Sequence, residues 1–138
     1  MAKDDDLTRF GCSSLAVGSQ GQVVVRAEAL QEIQALDQRQ QAQLLARMAL
    51  WADGRKMTRE QFNGNEGRCR KGDINRLLQA FKVHKVRLFG FVRPLLSLKS
   101  FVVVDVDPSK KQDKANKRIL NRAIDRVISF EEEFGDVR

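Results

Sequence analysis

The stretch Phe101-Val102-Val103-Val104-Asp105-Val106 constrains the fold more than any other part of the chain. Six residues that are apolar almost throughout do not suit an edge strand, where alternate side chains meet water, and they predict a strand at the centre of a sheet. Shorter runs of strand character accompany it at Gln22–Arg26, Leu77–Phe81 and Val86–Val92. Pro94 falls between two of these runs, in a connection where its missing donor is harmless.

Helical periods lie on either side of the strand region. Leu30, Ile33 and Leu36 recur at helical spacing, as do Leu44, Leu45, Met48 and Trp51, with the polar stretch Asp37–Gln41 between them. This predicts a helical hairpin that stops at Asp53-Gly54. After Pro108, a second stripe of Ile119, Leu120, Ala123, Val127, Phe130 and Phe134 predicts a long helix ended by Gly135. Its start is set either by Ser109, in the capping box Ser109–Gln112, or by Asp113. The predicted class is α+β: a small antiparallel sheet with an N-terminal helical hairpin and a C-terminal helix. Residues 1–20 show no clear period and are expected to be a loose or partly docked extension, with residues 21–138 as a single domain. From Arg55 to Asp73, three glycines (Gly64, Gly67 and Gly72) surround Arg68, Arg70 and Lys71, and a mobile basic loop is expected.

The charge narrows the class of partner. The 138 residues carry a formal charge of +7, but residues 55–99 hold 12 basic groups against 3 acidic ones while both ends of the chain are acidic. One electropositive face for an anion is implied, with nucleic acid the first candidate. No apolar run approaches the ~20 residues of a transmembrane helix, and the start Met-Ala-Lys-Asp-Asp-Asp has no signal-peptide layout. The expected location is cytoplasmic, without a membrane partner. Two distant cysteines, Cys12 and Cys69, and the single His84 do not make a zinc set. Asp105 and Asp107 share a strand face and have the chemistry to hold Mg²⁺, but with Pro108 next to them they read as a strand-ending turn. Cys69, among Arg68, Arg70 and Lys71, is expected to be shifted toward thiolate, with no base beside it.

Two groups of cations stand out. Read as one continuous strand, Leu78–Val92 places Phe81, Val83, Lys85, Arg87, Phe89 and Phe91 on one face, with Lys82 and His84 on the other. Arg87 then offers its fork of donors to a phosphate, or else ends the strand in solvent. Downstream, Lys110 and Lys111 precede the helix, and Lys114, Arg118, Arg122 and Arg126 recur every four residues along it. Such a stripe is either a solvated helix face or a surface that a partner covers.

These two blocks carry a resemblance. Leu78-Gln79-Ala80-Phe81-Lys82, followed by Lys85-Val86-Arg87-Leu88-Phe89, resembles the hairpin motif of the RelE/ParE superfamily of toxin–antitoxin toxins, including the HigB-like and phage-derived members. Phe101–Val104, the paired Lys110 and Lys111, and the helix with Ile119 and Ala123 resemble that family's last strand and following helix. The similarity spans residues 22–130. It implies a toxin that cleaves mRNA on the ribosome as a metal-independent endoribonuclease, an mRNA interferase needing no cofactor. Its partners would be mRNA, the ribosome and a cognate antitoxin. In the ParE branch it implies instead a non-enzymatic inhibitor of DNA gyrase, and a nucleic-acid-binding accessory protein on the same scaffold is the related alternative. By position, the resemblance assigns charge stabilisation to Arg87, Lys110 and Lys111. RNA contact would fall to Lys82, Lys85, Arg68, Arg70, Lys71, Lys114 and Arg118. The chain departs from the family in having no tyrosine and no histidine after the last strand.

Overall fold

The computed structural model describes residues 4–108 and 116–137. In chain order the elements are α1 (Asp4–Thr8), β1 (Cys12–Val17), β2 (Gln22–Arg26), α2 (Ala27–Gln34), α3 (Gln38–Ala52), β3 (Phe62–Lys71), β4 (Ile74–Val83), β5 (Val86–Leu95), β6 (Leu98–Asp107) and α4 (Lys117–Phe134). The class is α+β. The sheet is larger than expected and not purely antiparallel: six strands in the order β1-β2-β6-β5-β4-β3, in which β2 runs parallel to β6. Among the described residues, no helix is long and apolar enough to cross a membrane.

The apolar run of β6 is central, and every residue from Phe101 to Asp107 is buried. Its alternating side chains feed two cores. Val102 and Val104 meet α4 and α1 through Ala123, Val127, Phe130 and Leu7. Phe101, Val103 and Val106 meet α2 and α3 through Ala29, Ile33, Leu44 and Met48. Phe101 also anchors an edge-to-face aromatic cluster with Phe81, Phe62 and Trp51, an arrangement that adds roughly 0.5–1.5 kcal/mol per pair beyond burial. The β5–β6 register shifts between Phe89 and Gly90. This irregularity lets Val104 and Asp105, adjacent in sequence, both serve the α4 side.

Five expectations need correction. Residues 4–20 are docked and not loose: α1 and β1 bring Leu7, Phe10 and Cys12 into the core. The mobile loop at 55–73 is replaced over most of its length by β3, which pairs with β4 from Phe62↔Phe81 to Lys71↔Ile74 and bulges between Asn63 and Gly67. Pro94 lies within β5, with its side chain exposed, and not in a connection. Residues 78–92 are not one strand, because a turn at His84-Lys85, with Lys85 at φ 61°, reverses the chain. Phe81 and Val83 therefore face α3, while Phe89 and Phe91 face α4. The cap of α4 is Asn116, whose side chain accepts from the N–H groups of Arg118 and Ile119; Ser109 and Asp113 lie outside the described residues.

The helical hairpin formed as expected. Asp37 and Gln40 make a reciprocal capping box at the start of α3, and Gly54 follows α3 at φ 72°, a backbone that favours glycine.

A methyl group on Gly90 would collide with the Val102 carbonyl and the Phe101 ring, neither of which is free to move. Gly90→Ala is expected to lower stability by about 1–3 kcal/mol, read as a reduced urea midpoint with an unchanged slope.

Candidate functional site

Pairing places Lys82, Arg87 and Asp107 opposite one another on β4, β5 and β6. They make one row across the sheet on the side that carries α4. The β3 bulge turns Glu66 toward the same row. Arg87 Nη1 donates to both carboxylate oxygens of Glu66, at 2.6 and 3.0 Å. The two side chains are 7% and 5% exposed, so this pair is buried where most surface ion pairs are not. Asp107 Oδ2 accepts from the Asn116 N–H at 3.1 Å, tying the end of the row to the start of α4. Lys82 Nζ donates to the Arg59 carbonyl at 2.8 Å.

The remaining candidates are scattered. Lys85 and His84 are exposed in the β4–β5 turn, and His84 lines a shallow groove with Asp37, Arg39, Gln40 and Gln43 of the α3 start. Arg118 is exposed in the first turn of α4. Lys110, Lys111 and Lys114 lie outside the described residues. Arg68 and Arg70 point to the α3 side of β3, whereas Lys71 points to the α4 side and pairs with Glu132 at 2.9 Å. The three cations read as one loop are thus divided between two faces. Glu66 was missed altogether. The available signal was compositional, since it is one of only three carboxylates in the basic segment.

Over its second half the stripe on α4 is tied to the sheet, although Arg122 stays in contact with solvent. Arg122 donates through Nε and Nη2 to Asp105 at 2.8 and 2.6 Å. Arg126 reaches the Val104 carbonyl at 3.0 Å, and Glu32 of α2 lies 3.4 Å from both arginines. The pairing of β2 with β6 ends at Val25↔Val103, and these arginines fill the space beyond it. The hydrogen bond to Asp105 raises the Arg122 pKa further above its ordinary value. Asp105 is fully buried under this pair, so it is an anchor for α4 and not a cation ligand. Among the described residues, no three His, Cys, Asp or Glu side chains converge as metal ligands would.

Cys69 is also corrected. It is buried against α4, and burial pushes its thiol up to about 11 in spite of its basic neighbours in sequence. Cys12 is pushed up to about 11 by burial as well, with Arg26 opposing the shift.

No protein-family model matches this chain, and no curated protein or solved structure matches it either.

Both thiols stay protonated in the fold, while an unfolded chain ionises them near 9. Their contribution to stability is present below pH 9 and lost between pH 9 and 11. Native protein at pH 8 is expected to resist iodoacetamide at both cysteines, and chemical denaturation is expected to become easier across pH 9–11. A Cys12→Ala/Cys69→Ala variant should lose part of that pH dependence.

Proposed function

We propose that the protein is a toxin of the RelE/ParE type that acts on RNA, with the Glu66–Arg87 pair at its reactive centre. The carrying observation is that a carboxylate and a guanidinium meet, buried, in one row with Lys82 and Asp107. Cleavage of RNA by internal attack needs a base, a cation to stabilise charge and an acid for the leaving oxygen, and the pair supplies the first two kinds of group. The 2′ oxygen loses a proton and bonds to phosphorus, the bond from phosphorus to the 5′ oxygen breaks, and the proton ends on that 5′ oxygen. In this reading Glu66 accepts the proton and Arg87 stabilises charge on the phosphorane oxygens. The order strand, helical hairpin, strands, helix from β2 to α4 supports the family reading. In that reading the substrate is mRNA on the ribosome, and a cognate antitoxin covers the site in the resting cell.

A second reading has one observation in its favour. The Arg87 guanidinium is engaged by Glu66 and nearly closed to solvent, as a purely structural pair would be. The protein would then be a non-enzymatic binder, of DNA gyrase or of nucleic acid. Arg87→Ala alone does not separate the readings, because stranding the Glu66 charge costs about 3–5 kcal/mol. Loss of toxicity in that variant would follow from misfolding as readily as from lost chemistry.

Glu66→Gln removes the base and leaves the Arg87 charge unbalanced, but it keeps a hydrogen-bond acceptor beside the guanidinium, and its unfolding is therefore measured alongside. Primer extension on a reporter mRNA in a purified translation system is expected to show ribosome-dependent new 5′ ends with wild type. Glu66→Gln should slow their appearance by about 10²–10⁴-fold while its thermal unfolding stays cooperative. Wild-type cleavage rates in Glu66→Gln would remove the pair from the chemistry, and uncut mRNA with wild type would leave the binder reading, tested next by gyrase supercoiling.

A further inference from the structure

We infer that the α3-side surface of the β3–β4 hairpin is a second anion-binding surface, separate from the Glu66–Arg87 row, and that it takes the backbone of a single RNA strand. The inference rests on the RNA reading above but not on cleavage.

The β4–β5 pairing runs only from Gln79↔Gly90 to Val83↔Val86. Beyond that point β4 continues to Ile74, paired with β3 alone. The far half of the hairpin is therefore an arm that leaves the sheet. On its α4 side it is held down: Arg76 meets Glu131 at 2.8 Å, and Lys71 meets Glu132. Nothing among the described residues holds its other side. Arg68, Arg70 and Asn75 are exposed there, and Leu77 is half-buried and belongs to neither core. The polar contact of Arg68 is with Asn75 Oδ1 at 3.5 Å, and neither Arg68 nor Arg70 makes an ion pair among the described residues. The arm's one carboxylate is Asp73, in the turn.

The spacing suits a nucleic-acid backbone. Arg68 and Arg70 are two positions apart on one strand face, so they stand roughly 7 Å apart, on the scale of successive phosphates in an extended strand. Both are bidentate donors, and Leu77 beside them offers an apolar surface to a base. On the same face of the sheet, Lys99 of β6 lies 5.0 Å over the Trp51 ring, which extends positive charge toward α3. An acidic peptide would also satisfy the cations, but two arginines at phosphate spacing with one apolar side chain beside them favour a nucleic-acid backbone.

Arg9, exposed just before β1 at the opposite edge of the sheet, supplies an internal control of equal charge. The probe is a fluorescein-labelled 12-mer of 2′-O-methyl RNA, which cannot be cut by internal attack, so binding is read apart from any nuclease activity. Anisotropy titrations of the full chain over a range of salt are expected to show Arg68→Gln/Arg70→Gln weakening binding about tenfold. The same variant should make the slope of log K against log[salt] shallower by about 1.4, the value for two lost phosphate contacts on a single strand. Arg9→Gln should leave affinity within twofold and the slope unchanged. Wild-type binding by the double variant, an equal loss in Arg9→Gln, or no binding by the wild type would each overturn the inference. None of these results bears on whether Glu66→Gln still cleaves mRNA.

Discussion

The architecture depends on one strand that cannot tolerate water on either side. From Phe101 to Val106, β6 sends apolar side chains to both faces of the sheet, and each face must be roofed. The α2–α3 hairpin roofs one face and α4 with α1 the other. The parallel β2 and antiparallel β5 flank it, so its backbone groups are satisfied on both sides as far as β2 extends. Where β2 stops, Arg126 takes the Val104 carbonyl and Arg122 takes Asp105. The same arginines therefore finish the sheet and fix α4 upon it.

This explains which parts of the fold were legible. The central strand, the helical hairpin and the stripe of α4 follow from apolar periodicity, which burial enforces directly. The edge strands β1 and β3 were hidden because an edge needs no strong pattern: Asn63-Gly64-Asn65 and Gly67 form part of β3, and they read as turn because half of that strand meets water. The reading of residues 78–92 as one strand failed at His84-Lys85. A two-residue reversal leaves no mark in hydrophobic alternation, yet it reassigns Phe81 and Phe89 to opposite cores.

The candidate site was legible only by half. Arg87 stood out as a cation in an apolar strand, but its partner is a carboxylate 21 positions earlier, delivered by a bulge. Bulges shift the face of a side chain by one residue, and no one-dimensional pattern marks where that happens. The excess charge of the central segment was likewise visible as a sum and not as a distribution. Several cations are occupied by Glu66, Glu131 and Glu132, and Arg68 and Arg70 were distinguishable from Lys71 only once strand parity was known.

The end of α4 has a mechanical role that follows from Glu131. Buried, it holds Arg93 of β5 with one oxygen and Arg76 of β4 with the other, at the place where those two strands no longer pair. The hairpin arm is thus positioned by the rotational phase of a helix. Each residue added to or removed from α4 between Asp105's anchor at Arg122 and Glu131 would rotate that carboxylate by about 100° and swing it away from both arginines. The eight intervening positions act as a cam, and their number, more than their identity, sets the angle at which the arm stands from the sheet.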